Sequence, residues 1–273
     1  MLSKDVMRKP LLVDRDENIA KAVELLDRKK DTHLVVTDEG RVVGIVSVKD
    51  ILRTILDRLR WGSQRASKLY VSAVMTENPI YVSTETPVYE VARLMIVRGI
   101  SSVIIAEDLE DVESVGIITK RDLLRQIRSL YDTRTLISSI MTKNPVCVNP
   151  GTTVKHAEWI LREKGISTLP VVEEGALVGY LDARILALEI AWAYLKGDIK
   201  HTRTFIENTT VEGLMAPPHF ASKDKDVYEV AELLVHKRAK GTPILESDRV
   251  ESKLIGIVTE TDIVRLLAES YKD

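Results

Sequence analysis

Cysteine is almost absent from this chain of 273 residues. Cys147 is the only one, which excludes an internal disulfide framework and fits a reducing compartment. No charge of one sign dominates: 39 Lys and Arg against 41 Asp and Glu leave a net charge of −2, so no polyanion is demanded as a partner. No uncharged apolar run reaches the length of about 18 residues that a membrane helix needs. The nearest, "VEEGALVGYLDARILALEIAWAYL", is broken by acidic and basic residues. The first residues, "MLSKDVMRKPLLVDRDEN", lack the apolar centre of a secretory signal, so a cytoplasmic location is expected. Glutamine is scarce while charges of both signs abound, a composition that leans towards a heat-adapted source. The motifs of many enzymes are missing too: no Walker loop, no G-x-G-x-x-G and no G-x-S-x-G occurs. His33, His156, His201, His219 and His236 are scattered without metal-ligand spacing. A non-enzyme without a metal or catalytic cofactor is therefore expected.

What the chain does have is repetition. "GIVSVKDIL" from Gly44 recurs as "GIITKRDLL" from Gly116, "GYLDARILA" from Gly179 and "GIVTETDIV" from Gly256. Upstream of each stands a methionine before a proline-containing turn, at Met7, Met75, Met141 and Met215. One unit of roughly 65 to 75 residues thus occurs four times, longer than the usual solenoid period. Each unit mixes strand and helix. An extended piece follows the turn, and then comes a helix with apolar residues at i, i+3, i+4 and i+7, as in Val88, Val91, Ala92 and Met95. Two β-branched strands follow, joined by a connection of varying length, and a final helix begins at the Ser or Thr. The order β-α-β-β-α makes the chain α/β (α+β). Units this small bury little surface alone and should pack in pairs.

The four copies, each ending in a Gly-h-h-[Ser/Thr]-x-x-Asp-like motif, resemble cystathionine-β-synthase (CBS) domains. Tandem pairs of these are called Bateman modules. The resemblance covers about residues 3 to 271. It divides the chain into repeats at 3–60, 71–131, 137–196 and 211–271, with connectors at 61–70 and 197–210. The arrangement is similar to the nucleotide-sensing gamma subunit of AMP-activated protein kinase and to stand-alone archaeal CBS proteins. The resemblance implies two modules in a disc. It also implies regulatory binding of AMP, ADP or ATP, with S-adenosylmethionine possible, in clefts between paired repeats.

Candidate site residues follow from the motif. Ser47, Thr119 and Thr259 stand where a helix N-cap belongs, with Asp50, Asp122 and Asp262 three residues on, which is a capping-box variant. The same geometry suits a ligand: the helix start attracts phosphate, and a carboxylate one turn in can accept from both ribose hydroxyls. Repeat 3 has Asp182 and Ile185 instead, so the helix start survives without the second acid. At most three nucleotide sites are expected, with repeat 3 empty or holding something uncharged. Lys49, Lys120 and Arg121 oppose the helix dipole unless an anion lies between, which ranks the repeat 2 site first, repeat 1 second and repeat 4 third. By resemblance, the base wall comprises Leu11, Thr32 and His33 in repeat 1 and Ile80, Ile100, Ser101 and Ser102 in repeat 2. In repeat 4 it comprises Lys240, Gly241 and Thr242, with Phe220 aligned less securely.

The connectors should extend the final helix of their repeats and pack at the pair interface. The basic face with Arg53, Arg58, Arg60 and Arg65 offers an RNA contact, although a solvated helix face is the ordinary reading. Trp159 and Trp192 are expected in a core or interface. The leading expectation is a regulatory sensor of adenine nucleotides acting on an unidentified protein partner. The alternative is an interaction scaffold on an enzyme or ribonucleoprotein with vestigial ligand sites. A homodimer and a single-chain disc are equally compatible with the sequence.

Overall fold

A computed structural model describes residues 1–61, 69–131 and 134–270. Repeat 1 carries α1 (Ser3–Val6), β1 (Leu12–Asp14), α2 (Ile19–Lys29), β2 (His33–Asp38), β3 (Arg41–Ser47) and α3 (Val48–Trp61). Repeat 2 carries β4 (Thr76–Glu77), β5 (Tyr81–Val82), α4 (Val88–Arg98), β6 (Ser102–Ile105), β7 (Gly116–Thr119), α5 (Lys120–Arg125) and α6 (Ile127–Leu130). Repeat 3 follows with β8 (Thr142–Lys143), α7 (Val154–Lys164), β9 (Thr168–Glu173), β10 (Ala176–Asp182) and α8 (Ala183–Lys196), and α9 (Ile199–Asn208) leads on from it. Repeat 4 has β11 (Ala221–Ser222), α10 (Val227–Lys237), β12 (Gly241–Leu245), β13 (Leu254–Thr259) and α11 (Glu260–Ser270).

The first helix of each repeat forms for local reasons. Asn18 caps α2 and Thr153 caps α7, each accepting from a backbone N–H of the first turn. Gly99 and Gly165 end α4 and α7 in the left-handed region, which glycine enters without cost. Val88, Val91, Ala92 and Met95 are all buried, so the apolar stripe faces the core as its spacing requires. The two strands of each repeat pair antiparallel, β2 with β3 and β12 with β13 among them.

Repeats pair by exchanging their starting segments. β4, at the start of repeat 2, adds to β3 of repeat 1, and β8, at the start of repeat 3, adds to β13 of repeat 4. In return, Arg8 bridges Ile117 of repeat 2, and Ala216 bridges Tyr180 of repeat 3. Each exchange seats the repeated methionine on the partner's repeated glycine. A Cβ built on Gly44 would lie 2.9 Å from Met75 Sδ, and one on Gly116 would lie 2.5 Å from Met7 Sδ. The distances are 2.8 Å for Gly179 and Met215 and 2.6 Å for Gly256 and Met141. Glycine is needed here for close approach, since no other residue leaves the thioether its place.

Two aliphatic cores cross these pairs. One joins repeats 1 and 3, where α3 meets α8 and Ile51, Ile55, Ala187, Ile190 and Tyr194 are buried together. The other joins repeats 2 and 4, where α11 meets α4 and α5 and Met95, Leu123, Ile263 and Leu267 are buried. A smaller cluster of Val35, Val42, Ile104 and Ile117 closes the seam between repeats 1 and 2. The four repeats therefore close a ring in the order 1, 2, 4, 3. The apolar face of "LALEIAWAYL" docks the other module, and Trp192 Nε1 donates to Asp27 Oδ2 at 3.1 Å. Two expectations need correction. The second connector does not simply extend α8: the chain leaves the helix at Gly197, and α9 starts anew with Asp198 as its cap. Trp159 is not in a core but 47% exposed, stacked on His156 with ring centroids 5.5 Å apart. Most of the first connector, including Arg65, lies outside the described residues.

The exchange makes a quantitative prediction. Gly179→Ala would place a methyl 2.9 Å from the Ala216 carbonyl oxygen as well as against Met215. Thermal and denaturant unfolding should show a loss of about 1–3 kcal/mol. Gly151→Ala, whose Cβ would meet nothing nearer than 3.5 Å, should change stability far less. Equal effects at the two positions would contradict the methionine lock.

Candidate functional site

The three Ser/Thr-x-x-Asp motifs all close as caps. Asp50 Oδ2 accepts from Ser47 N at 2.9 Å and Ser47 Oγ at 2.6 Å. Asp122 Oδ2 accepts likewise from Thr119 N and Oγ1, and Asp262 Oδ2 from Thr259 N and Oγ1. Each carboxylate thus has one oxygen fixed at a helix start and the other turned outward to an arginine three residues on, Arg53, Arg125 or Arg265. The three sites differ in what else surrounds the carboxylate.

At Asp50 there is open space. A cavity of about 580 Å³ is lined by Ile45, Ser47, Lys49, Asp50, Leu52, Arg53 and Leu56 of repeat 1. Its opposite wall is Thr76, Asn78, Pro79, Ile80 and Gly99 to Ser102 of repeat 2. Asn78, at φ +50°, turns the chain so that Pro79 and Ile80 face the cavity; Asn enters the left-handed region more readily than other residues with a Cβ. The volume falls within the range of small-molecule sites. The base-wall residues Ile80, Ile100, Ser101 and Ser102 therefore face Asp50 of the neighbouring repeat rather than Asp122 of their own. The cause is the exchange described above: the turn that carries Ile80 follows directly on the β4 segment added to repeat 1.

The inner end of the cavity meets a polar chamber where all four repeats converge. Thr32, His33 and Lys49 come from repeat 1, Ser101 and Lys120 from repeat 2, Ser167 and Arg184 from repeat 3, and Lys240, Glu260 and Thr261 from repeat 4. His33 is buried, with Nδ1 2.9 Å from Thr32 Oγ1 and Nε2 2.9 Å from Ser101 Oγ. Burial, aided by the charges of Lys240 and Arg8, pushes its pKa down to about 3. Burial likewise pushes Lys120 down to about 8 and lowers Lys49, whose side chain opens onto the cavity. Glu260 goes the other way: burial alone would raise it, but Lys240 and Arg121 outweigh burial and hold it low. Cations thus collect at the inner end, which suits an anionic group of a ligand.

The carboxylates of Asp122 and Asp182 are already engaged by protein groups. Arg8, from the turn of repeat 1, donates to Asp122 Oδ2 at 3.2 Å and to Asp31 Oδ2 at 2.7 Å, so a guanidinium covers the Asp122 carboxylate. Arg121 does not turn towards a phosphate position; it donates to Glu260 Oε1 at 3.1 Å and to the Arg238 carbonyl across the contact of repeats 2 and 4. Asp182 caps α8 through Arg184 N and accepts from Lys240 N at 2.9 Å, which closes the seam between repeats 3 and 4. A Cβ on Gly241 would lie 2.9 Å from Thr168 Oγ1, and Thr242 is fully buried. Leu11 packs against the core shared by repeats 1 and 3. Of the residues singled out in the sequence, His33, Ser47, Lys49, Asp50, Ile80, Ile100, Ser101, Ser102 and Lys120 line the Asp50 cavity. Thr32, Thr119, Arg121, Asp122, Lys240, Thr259 and Asp262 do not. Sequence reasoning missed Arg8, which stands in the repeated methionine turn, and the face of α7 with Glu158, Leu161 and Arg162, which lines the cavity from repeat 3. Among the described residues no cluster of His, Cys, Asp and Glu could hold a metal ion, and no helix is long and apolar enough to cross a membrane.

Comparison with known proteins places this geometry. Residues 3–57, 71–129, 137–191 and 211–269 match the CBS domain, and the chain belongs to the CBS-domain family. It is similar to an uncharacterised protein of Methanocaldococcus jannaschii, with 25% identity over 264 residues that cover 92% of each chain. An uncharacterised protein encoded in a ribosomal RNA operon of Thermofilum pendens is 23% identical over 94% of this chain and 87% of its own. The crystal structure of the Methanocaldococcus jannaschii protein shares the fold with a TM-score of 0.81 and 22% identity, covering 98% of this chain and 100% of that one.

Burial of His33 sets a pH dependence. An unfolded histidine titrates near 6.5, whereas His33 in the fold titrates near 3, so between these values the unfolded chain binds more protons. Stability is therefore complete above about pH 6.5 and falls as the pH drops through that window. Urea unfolding at pH 5 should show a deficit relative to pH 7 to which His33 contributes about 2 kcal/mol. His33→Gln should shrink the deficit. An unchanged deficit would contradict a neutral buried imidazole.

Proposed function

We propose that the cleft between repeats 1 and 2 binds an adenosine-containing nucleotide and that the chain acts as a regulatory sensor of that ligand. The observation that carries this reading is the open cavity of about 580 Å³ around Asp50. Among the described residues the outward oxygen of Asp50 is held by Arg53 alone, whose side chain is 68% exposed. That oxygen accepts the ribose hydroxyls. The base lies between Ile80 and Ile100, with Ser101 and Ser102 offering hydroxyls to its edge. The phosphate lies at the start of α3, a helix of 14 residues, where Lys49 and Lys120 add positive charge to the dipole. The Methanocaldococcus jannaschii relative has itself been suggested as an archaeal homologue of g-AMPK, which supports a sensing role. Because the cleft is made by two repeats, ligand binding favours the arrangement in which its two walls stand at this distance. Coupling to a protein partner follows if the partner distinguishes that arrangement from others.

AMP titrated by calorimetry into nucleotide-free protein should bind at one site per chain, and Asp50→Ala should weaken it at least tenfold. Weakening by Asp122→Ala with Asp50→Ala unaffected would overturn the assignment. Arg8→Ala uncovers Asp122 and should add a second equivalent of AMP. An unchanged stoichiometry would show that Arg8 is not what closes the second cleft.

A further inference from the structure

The Asp50 cavity has a third wall, and it belongs to neither of the repeats that form the cleft. Glu158, Leu161, Arg162 and Gly165 of repeat 3 line it. Glu158, Leu161 and Arg162 share one face of α7 and Gly165 ends the helix, and Leu52 and Leu56 of α3 line the same space. Repeat 3 lacks the second acid of its own motif, yet it lends a helix face to the cleft of its neighbours.

Glu158 stands out on that face. It is 8% exposed, and the wall beside it is aliphatic. Its Oε1 accepts from Arg162 Nε at 3.2 Å, and among the described residues its second oxygen receives no hydrogen bond. Burial raises its pKa against the charge of Arg162. A carboxylate so little exposed gains from each further donor that reaches it. Glu158 borders a cavity of ligand size, from which a donor on the ligand can reach it. Arg162, half-exposed and itself lining the cavity, holds one of the two carboxylate oxygens.

We propose that Glu158 is a ligand-contacting, specificity-determining residue of the cleft between repeats 1 and 2, accepting a hydrogen bond from an amino group on the base. A purine with an exocyclic amine at position 6 supplies that donor. A 6-oxo purine presents an acceptor there and leaves the carboxylate opposed to a lone pair. Discrimination of this kind is strong because the wrong base leaves buried polar groups unpaired. A ligand so held touches repeats 1, 2 and 3 at once and ties the two modules together. The inference rests on the nucleotide reading of the Asp50 cleft.

The test compares AMP with IMP by calorimetry in the wild-type chain, Glu158→Gln and Asp50→Ala. The wild type should prefer AMP. Glu158→Gln, whose amide can donate as well as accept, should lose about tenfold in AMP affinity and move towards parity with IMP. Its melting temperature without ligand should stay near that of the wild type. Should that variant not fold, Arg162→Met, at a half-exposed position, should lower the AMP preference in the same direction by releasing the carboxylate. An unchanged AMP preference in the folded variants, with Asp50→Ala losing both nucleotides, overturns the role of Glu158 and leaves the cleft assignment standing. Failure of the wild type to bind either nucleotide overturns both.

Discussion

Close approach of a methionine sulfur to a strand glycine is the contact on which the rest of this structure depends. It occurs four times, once for each repeat, and always between a repeat and its pair-mate. Where Gly116 meets Met7, a single methyl on the glycine would lie 2.5 Å from the sulfur. The contact holds the starting segment of one repeat against the hairpin of the other, and that crossing has a chemical consequence. The turn following each methionine faces the helix start of the pair-mate. Every cleft is therefore composite, and one repeat alone has no complete site.

Composite clefts need not be equivalent, because their contents depend on the few residues that differ between turns. The turn of repeat 2 brings Asn78, Pro79 and Ile80 towards Asp50 and leaves room. The turn of repeat 1 brings Arg8, which spans Asp31 and Asp122 and fills the corresponding place. Between repeats 3 and 4, Asp182 bonds directly to the backbone of Lys240. The central chamber adds a constraint of its own. Lys49, Lys120, Arg184 and Lys240 share it, and Glu260 within it and Asp182 and Asp50 beside it offset their charge. Near-neutrality of the whole chain conceals how these charges are gathered at one point.

Much of this was legible in the sequence. The recurring Gly-h-h-[Ser/Thr]-x-x-Asp motif gave the repeat number, the element order and the caps at Ser47, Thr119 and Thr259, because these are local properties of spacing and residue type. The apolar stripe of α4 was legible for the same reason. What was not legible is tertiary. Met75 and Gly44 were visible as separate repeated signals, but nothing in their spacing says that they touch across a pair. Without that contact, Ile80, Ile100, Ser101 and Ser102 fall naturally beside Asp122, whereas the fold sets them opposite Asp50. Arg121 looked available to a phosphate, since its partner Glu260 lies 139 positions away in the chain. Glu158 gave no signal because its helix serves a cleft in the other module.

Diffraction from crystals grown with AMP would test the central claim most directly. The account predicts density for one nucleotide between the Ser47–Asp50 helix start and Ile80 and Ile100, with its phosphate beside Lys49 and Lys120. Density over Asp122 with Arg8 displaced and the Asp50 cavity empty, or nucleotide only on the outer surface, would contradict it.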